Sequence, residues 1–474
     1  MVRFTSGEAS SAALADISSR VDTRSPADSV PVLVFNPLAW ERTDVVEFSV
    51  QMPNSVKNGV SVFDTQNHAV ASQVLSMDAA TNTVHLLVEP NAVPSLGYSL
   101  LRVAPARRET QSDLSAHDLT LENSALRVVV NPKTGCVTSL YDKRAQFESI
   151  AAGGCGNELI AFADNPKQYD AWNIDSDFEK SFTRLDSADS VTLTEHGPLR
   201  ATIRVVRTWQ KSKFVQDITL YAGLDRVDVV NNIDWHETHI LLKAAFPLAA
   251  SSDHATYEIP YGSIERPTTR NNSWEAAKFE VPALRWADLG DAEHGFSLIN
   301  DSKYGYDAKG NVLRISLLRS PTWPDPDADR GHQHFIYALY PHAGDWKKAL
   351  TVRRGYEFNS QLKALPVAAH SGAWKGEQSF VTVDQKNVVL TAMKKTEDGN
   401  SLLFRFYEWA GENSGVNVTV PAGGVSATMT NLMEQPEGSP LAISPEGKMS
   451  FAVHPFEIVS IRVDYPHGGA TASK

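Results

Sequence analysis

Residues 319–332 hold the side chains whose types and spacing most clearly suggest chemistry in this chain of 474 residues. The run contains three aspartates, two arginines, a tryptophan and a histidine. Carboxylates and guanidinium groups hydrogen-bond hydroxyl groups with fixed geometry, and an indole ring covers apolar C–H surface. This combination is typical of sugar-binding sites, although a solvated acidic loop without a ligand has the same composition.

The elements on either side of this run are expected to be strands, at 313–318 and 334–340. The run itself holds Pro321, Pro324 and Pro326. Proline lacks the amide hydrogen that a strand ladder needs, so three prolines exclude a paired strand here. We therefore expect residues 319–332 to project as a loop from the edge of a sheet.

Two further clusters combine aromatic, acidic and basic side chains. One is Tyr169-Asp-Ala-Trp172, with Asp175 and Asp177 close behind, and the other is residues 260–274. A polar loop with one buried tryptophan explains the first cluster equally well. Three such clusters in one β-rich region nevertheless suggest loops that converge on a polar rim.

Asp325, Asp327 and Asp329 have the spacing that opens a calcium-binding EF-hand loop. The sixth position is Arg330 rather than glycine, and the twelfth is Ile336 rather than glutamate. No helical patterns flank the run, so the sequence excludes an EF-hand.

Two histidine pairs also fail as metal motifs. His236 and His239 are three residues apart rather than four, and they lie between strand-like runs, which excludes a zinc-protease helix. His332 and His334 would share one strand face, but no third ligand is spaced to join them, and ordinary hydrogen bonding is favoured. We expect no metal ligands in this chain.

The overall charge and composition exclude several classes of protein. A net charge of −12 argues against nucleic acid and anionic membrane surfaces as partners. No run approaches the roughly 18 apolar residues of a membrane span, and the N-terminus lacks the apolar core of a signal peptide. With Cys136 and Cys155 as the only cysteines, we expect no disulfide framework and a reducing, cytoplasmic location.

Secondary structure is expected to be almost entirely strand. Residues 8–18 are rich in alanine and predict one short helix, while residues 45–50 alternate apolar and polar side chains. Residues 126–141 predict a hairpin. Strand candidates spaced by roughly 8–14 residues favour β-sandwiches over alternating strands and helices.

Several segments together resemble the C-terminal half of a glycoside hydrolase family 38 α-mannosidase. They follow one another in a consistent order, at residues 34–42, 156–159, 169–172, 241–247, 255–259, 262–267, 279–281, 286–288, 300–305, 317–321, 329–332 and 337–342. The Tyr-Asp-Ala-Trp form is similar to the cytosolic or vacuolar branch of that family.

The resemblance implies an all-β chain of sandwich domains with a short N-terminal helix. Residues 1–27 would be the remnant of a helical bundle and a linker, and 28–108 a small β-sandwich. Residues 109–365 would form a large β-supersandwich like that of galactose mutarotase, and 366–474 a C-terminal β-sandwich.

The resemblance also implies hydrolysis of terminal α-mannosyl residues in glycan catabolism. Family members keep the aspartate nucleophile and the ligands of zinc, or another divalent ion, in an N-terminal α/β domain whose motifs do not occur here. We therefore expect no cofactor and no catalytic residue in this chain, and no activity from it alone. Its partners would be α-mannosides and that catalytic domain, in the same chain or a separate one.

The loops that would reach the mannose pocket contain the candidate substrate-binding residues. These are Tyr169, Asp170, Trp172, Arg319, Asp325, Asp329 and His332. A stand-alone carbohydrate-binding module and a non-catalytic subunit of a split mannosidase remain as alternatives. An aldose-epimerase-like enzyme would need His332 or His334 to converge with Glu265.

Overall fold

The computed structural model describes residues 2–56 and 59–466, which form two compact units. One unit comprises residues 1–110 and 360–474, and the other comprises residues 111–359. The expected division into four segments is finer than this one and stays a prediction. The all-β fold class is confirmed, because strands dominate both units.

Strands of the first unit come from both ends of the chain. The N-terminal strands are β1 (Val30–Asn36), β2 (Val46–Gln51), β3 (Val60–Phe63), β4 (Ala69–Asp78), β5 (Thr83–Glu89) and β6 (Gly97–Pro105).

The second unit contains twenty strands. They are β7 (Ser115–His117), β8 (Thr120–Glu122), β9 (Leu126–Val130), β10 (Val137–Asp142), β11 (Phe147–Glu148), β12 (Glu158–Ala163), β13 (Phe182–Arg184), β14 (Ser190–His196), β15 (Arg200–Trp209), β16 (Ser212–Tyr221), β17 (Val227–Trp235), β18 (Ile240–Pro247), β19 (His254–Ile259), β20 (Gly262–Pro267), β21 (Val281–Pro282), β22 (Trp286–Gly290), β23 (His294–Asn300), β24 (Gly305–Lys309), β25 (Val312–Leu318) and β26 (Gly331–Ala343).

The chain then returns to the first unit. Its C-terminal strands are β27 (Lys363–Pro366), β28 (Glu377–Ser379), β29 (Thr382–Val383), β30 (Val388–Lys395), β31 (Ser401–Glu408), β32 (Ser414–Thr419), β33 (Ser426–Thr430), β34 (Pro436–Leu441), β35 (Lys448–Val453) and β36 (Ile458–Asp464).

In the first unit, β27 and β28 join the N-terminal strands in one eight-stranded sheet, in the order β2-β5-β4-β3-β6-β1-β27 with β28 on β6. The later strands form two sheets, β29-β32-β35 and β30-β31-β36-β33-β34. Strand β2 shows strict alternation of buried and exposed residues, as its sequence predicts, because one face covers the core.

Three antiparallel sheets build the second unit. Their orders are β11-β10-β9-β8-β7, β13-β12-β18-β25-β24-β21 and β14-β15-β16-β17-β26-β23-β22-β19-β20. A single hydrophobic cluster contains fully buried residues from all three, such as Leu126, Leu242 and Ile203. The sheets therefore share one core, as a sandwich requires.

Helices are few. They are α1 (Val2–Arg20), α2 (Ser273–Ala276) and α3 (Thr351–Asn359), with one 3₁₀ turn at Phe178–Lys180. Sequence reasoning predicts α1 but misses α3. A Cβ atom on Gly355 would lie 3.0 Å from the indole of Trp286, so close packing of the helix on β22 compensates for a glycine within it. Within the described residues, no helix is long and apolar enough to cross a membrane.

The expected absence of a disulfide is wrong, because Cys136 and Cys155 form one with their Cα atoms 5.1 Å apart. Backbone amides of Val137 and Gly156 bond each other's carbonyls at 2.8 and 2.9 Å. This pairing brings the start of β10 beside the loop that precedes β12. The proximity depends on tertiary structure, so the number of cysteines alone could not predict it.

A buried polar cluster around His342 ties β22, β23, β26 and α3 together. The imidazole Nε2 lies 2.9 Å from a carboxylate oxygen of Asp288, and Ser297 donates to the same oxygen at 2.6 Å. Nδ1 lies 3.1 Å from the carbonyl of Gly344. A nucleophilic triad needs the serine and the carboxylate on opposite nitrogens of the imidazole. Here Ser297 and Asp288 both contact Nε2, so the cluster does not have that geometry.

The charge state of His342 follows from these contacts. Burial lowers the pKa of the imidazole, but the Asp288 carboxylate and the hydrogen bonds that favour the protonated ring outweigh it, so the pKa lies above its ordinary value of 6.5. The folded protein therefore holds the proton more tightly than the unfolded chain does.

We expect this cluster to make stability depend on pH. Its contribution to the free energy of unfolding is complete below about pH 6.5 and is lost as the pH rises through the raised pKa of His342. Thermal unfolding of the native chain and of His342→Gln, which cannot titrate, should show a steeper loss above neutral pH in the native chain. Equal slopes in the two proteins would contradict the assignment.

Candidate functional site

Strand order in the six-stranded sheet explains why two distant loops meet. Strands β12 and β25 both pair with β18 in antiparallel fashion, so β12 and β25 run parallel to each other. Their C-terminal ends therefore lie at the same edge of the sheet. The Tyr169 loop (residues 164–175) follows β12, and the Arg319 loop (residues 319–330) follows β25. His239 lies at this edge too, because it immediately precedes β18.

Arg319 joins the two loops. Its Nε donates to Oδ2 of Asp164 at 2.6 Å, and its terminal nitrogens donate to the carbonyls of Ala171, at 2.8 Å, and Asn173. A fourth, longer bond reaches the other Asp164 oxygen at 3.4 Å. The planar guanidinium thus bonds three points along the Tyr169 loop, which a lysine ammonium could not do with the same geometry.

Asp164 is the buried partner of this ion pair, with 2% of its side chain exposed. Burial raises the pKa of its carboxyl above the ordinary value, although the Arg319 guanidinium acts in the opposite direction. Removal of Arg319 would leave this carboxyl without its cation in a site that water hardly reaches.

Asp170 makes the reciprocal connection from the Tyr169 loop to the Arg319 loop. One of its oxygens accepts from the backbone amides of Thr322 at 2.8 Å and Trp323 at 3.0 Å. The imidazole Nε2 of His239 lies 3.2 Å from its other oxygen. Burial raises the pKa of Asp170, but the two amides and His239 outweigh it and hold the pKa below the ordinary value.

Asp329 closes the base of the Arg319 loop. Its carboxylate accepts from the backbone amides of Arg319 at 3.1 Å and Ser320 at 2.9 Å. Ser320 is fully buried; it has a positive φ of 58° and accepts a hydrogen bond from the indole nitrogen of Trp235. Such a backbone conformation is uncommon for a residue with a side chain, and these surrounding bonds stabilise it.

The two loops present three aromatic side chains to solvent. Tyr169, Trp172 and Trp323 are 67%, 66% and 60% exposed. The two indole rings meet edge to face with their centres 5.2 Å apart. Large aromatic side chains held at the surface by a rigid frame are typical of ligand-binding sites.

The structure thus gathers most of the sequence-predicted site residues. Tyr169, Asp170, Trp172, Arg319 and Asp329 belong to the bonded pair of loops. Their role in binding substrate stays a prediction.

Asp325 and His332 stand apart from this frame. Asp325 is exposed, and its carboxylate accepts from the amide of Asp327 within the same loop, at 3.0 Å. His332 is exposed on β26, where it pairs with Asp234 of β17. No hydrogen bond described in the structure connects either side chain to the Tyr169 loop.

The third sequence cluster lies elsewhere in the unit, on the hairpin of β19 and β20. Four strand spacings separate β20, which holds Glu265, from β26, which holds His332 and His334. At about 4.8 Å per spacing, this is roughly 19 Å, so the structure does not bring together the pair that an epimerase would need.

Sequence reasoning missed two residues that organise the site, Asp164 and His239. Asp164 directly follows the buried strand β12, and an aspartate at the end of a buried strand is a signal that could have indicated a loop-organising role. In the sequence, His239 stands out only through its spacing from His236, which resembles a metal motif. Its actual partners, the carboxylate of Asp170 and the hydroxyl of Thr322 at 3.2 Å, depend on long-range folding.

Behind Arg319 lies a cavity of about 400 Å³ with a mainly apolar lining. Its polar wall contains Glu280, which bonds Ser316 and the ammonium of Lys243 at the interior side. Lys243 is fully buried and also donates to Asp307 at 2.5 Å. Burial raises the pKa of Glu280 despite the attraction of Lys243. Arg314 also donates to Asp307 at 2.7 Å, so two cations face two carboxylates in this buried cluster.

The resemblance assigns zinc to an N-terminal α/β domain whose motifs do not occur here, and the expectation of no cofactor in this chain stays a prediction. Within residues 2–56 and 59–466, no three histidine, cysteine, aspartate or glutamate side chains are grouped so that they could hold a metal ion. The loops described above offer hydrogen bonds and aromatic surface instead.

Two segments of the chain match models of known protein families. Residues 121–327 match the family model described as "Glycosyl hydrolases family 38 C-terminal domain". Residues 387–461 match "Glycosyl hydrolases family 38 C-terminal beta sandwich domain". The chain contains the C-terminal domains of glycoside hydrolase family 38.

Curated relatives place this chain against longer proteins. It is 34% identical over 383 residues to Alpha-mannosidase 2C1 of Mus musculus. That alignment covers 78% of this chain and 36% of the mouse protein. It is 33% identical over 360 residues to Alpha-mannosidase G of Dictyostelium discoideum. That alignment covers 73% of this chain and 32% of the relative. The chain therefore spans about a third of the length of these relatives.

A solved structure shows the same fold. An alpha-mannosidase from Enterococcus faecalis V583 superimposes with a TM-score of 0.77 over 95% of this chain and 58% of that chain, at 16% identity. This likeness supports the architecture of the chain.

We expect Asp170→Ala to free the Arg319 loop locally without unfolding the chain. The amides of Thr322 and Trp323 lose their common acceptor, so their hydrogen exchange should become roughly tenfold faster or more. Exchange measured by mass spectrometry across residues 319–330 tests this. In the control variant Asp325→Ala, which removes only a bond within the loop, those two amides should exchange at the native rate. Native-like exchange in Asp170→Ala would contradict the bonding pattern.

Proposed function

We propose that this chain provides substrate-facing loops to an α-mannosidase, whose nucleophile, acid and metal belong to a separate catalytic region. The observation that supports this most directly is the mutual locking of the Tyr169 and Arg319 loops, which displays three aromatic side chains at one sheet edge. The names of the relatives supply the substrate class, α-mannosides.

In this proposal Tyr169 contacts the sugar. Its side chain is exposed, and its hydroxyl can both donate to and accept from a mannose hydroxyl. A positive φ of 61° at Tyr169 starts a turn in which its carbonyl accepts from the amides of Trp172 and Asn173, both at 2.8 Å. This turn fixes the direction of the Cα–Cβ bond from which the phenol projects, which reduces the backbone entropy lost on binding.

Trp172 and Trp323 provide the apolar part of the contact. One face of a pyranose ring is mainly C–H surface, and an indole ring can cover it. The edge-to-face contact of the two indoles holds both rings at the surface, where each would otherwise adopt several rotamers.

Arg319 and Asp170 are positioning residues in this proposal. Arg319 uses four of its hydrogen-bonding positions on Asp164 and on two loop carbonyls, so its principal effect is on loop geometry. Asp170 is committed to two backbone amides of the facing loop. Retaining glycosidases need a nucleophile and an acid on either side of the scissile bond, and the proposal assigns neither role to these carboxylates.

We expect the chain alone, with zinc or cobalt added, not to hydrolyse a chromogenic aryl α-mannoside. Activity should appear when a separately produced family 38 catalytic region is added. In that mixture Tyr169→Phe should lower kcat/KM by about tenfold, the value of a hydrogen bond made in the transition state. The control Tyr141→Phe changes a tyrosine on β10, away from the loops, and should leave kcat/KM unchanged.

Two outcomes would contradict the proposal. Turnover by the chain alone that Tyr169→Phe or Arg319→Ala abolishes would mean that the β domains hold a complete site. Unchanged kcat/KM for Tyr169→Phe in the reconstituted mixture would remove this tyrosine from the substrate contact.

We also propose a cytoplasmic location, which the likeness of the Tyr-Asp-Ala-Trp segment to the non-secreted branch of the family supports. Disulfides are rare in that compartment, whereas Cys136 and Cys155 are close enough to bond. We therefore expect the pair to be reduced in cells and to oxidise after isolation. Alkylation of acid-trapped cell extracts should modify both thiols, and a bonded pair in the trapped protein would contradict the proposed location.

A further inference from the structure

A groove of about 730 Å³ lies in the unit formed by residues 1–110 and 360–474, which does not contain the Tyr169 and Arg319 loops. Its walls come from the segment after α1, the turn between β3 and β4, strand β6 and residues 372–376. This volume is within the range of roughly 300–1,000 Å³ that small-molecule sites occupy.

Backbone hydrogen bonds make the walls of this groove rigid. The amide of Asp22 donates to the carbonyl of Trp374 at 2.9 Å. The amide of Trp374 donates in turn to the carbonyl of Arg20, also at 2.9 Å. Gly372 allows this close approach, because a Cβ atom there would lie 2.3 Å from the backbone carbon of Val21. The groove is therefore formed before any ligand arrives, which lowers the entropy cost of binding.

Trp374 gives the groove an aromatic element with an available donor. Its ring packs against Phe380, with ring centres 5.7 Å apart, and the guanidinium of Arg20 lies 5.5 Å from the ring centre. Among the described residues, its indole N–H makes no hydrogen bond that the structure shows. The half-buried ring is thus fixed in place while its polar edge remains able to donate.

Two of the three cations in the groove, Arg24 and Arg102, are hydrogen-bonded to neighbouring side chains. Nε of Arg24 donates to a carboxylate oxygen of Asp22 at 2.8 Å, and a terminal nitrogen of Arg102 donates to the amide oxygen of Asn67 at 2.6 Å. The ammonium of Lys375 has no ion pair with another described residue. These groups present both donors and acceptors, which ligands with many hydroxyl groups require.

The balance of charge favours a neutral ligand over an anion. Asp22 and Asp64 line the groove together with Arg24, Arg102 and Lys375, so the lining has only a single excess positive charge. A phosphate or sulfate group would meet two carboxylates in the same space. Hydroxyl groups can instead bond both signs of charge without a large desolvation cost.

We propose that this groove binds a neutral oligosaccharide, through stacking or edge contact with Trp374 and hydrogen bonds from the paired charges. The site is independent of the proposed mannosidase function, because all of its residues belong to the other unit of the chain. It would hold a glycan chain at a second point, separate from the Tyr169 and Arg319 loops.

The test uses the complete chain and α-mannotriose as the probe. Trp172→Ala/Trp323→Ala serves as the background, so that binding at the loop site is removed first. In this background we expect titration calorimetry to show a Kd of about 1 mM, typical of a weak ligand contact. Adding Arg24→Ala and Lys375→Ala should weaken binding at least tenfold. Both of these residues are exposed, so their removal should leave the melting temperature unchanged.

A second variant examines the aromatic contact. Trp374→Phe retains a ring but removes the indole N–H, and it should also weaken binding in the same background. The proposal is overturned if the background protein does not bind the trisaccharide, or if it binds with an affinity that the groove substitutions do not change. Stronger binding of inorganic phosphate than of α-mannotriose at the groove would overturn the assignment to neutral ligands.

Discussion

The ion pair between Arg319 and Asp164 fixes the relative arrangement of two loops that the strand order brings to the same sheet edge. A buried ion pair adds little to stability in general, because desolvation of both charges offsets their attraction. Its effect here is on geometry: the guanidinium plane bonds a carboxylate and two carbonyls of the Tyr169 loop at once. Substitution of Arg319 by an apolar side chain could retain packing, but it would not reproduce these directions.

Sheet topology determines where that ion pair can form. Strand β18 lies between β12 and β25, and the antiparallel pairing on both of its sides places the two loop origins at one edge. Asp170 and Asp329 then complete the frame, mainly through bonds from backbone amides of the Arg319 loop. The exposed aromatic residues are consequently supported by main-chain contacts, which tolerate sequence change in the remainder of the loops.

The sequence predicts the fold well where local pattern and tertiary packing agree. Period-two alternation identifies β2, and an alanine-rich run identifies α1. The nine-residue helix α3 was missed because Gly355 weakens its local propensity and packing on Trp286 compensates.

The candidate site was only partly predictable for a related reason. Prolines and the mix of side chains indicate the Arg319 loop, and the family resemblance indicates Tyr169 and Asp170. Asp164, His239 and the disulfide between Cys136 and Cys155 depend on contacts that the strand pairing creates. Periodicity and spacing contain no information about such contacts.

The strand order also has a consequence for the way this protein folds. Arg319 and Asp164 are 155 residues apart in the chain, and the strands between them include most of the nine-stranded sheet. Closing so long a stretch costs chain entropy before the contact contributes any stability, and such non-local pairings form slowly. The two loops therefore come together only after much of the unit has assembled. During synthesis on a ribosome, Arg319 is added more than a hundred residues after Asp164. The ion pair therefore cannot form until that intervening chain has been made.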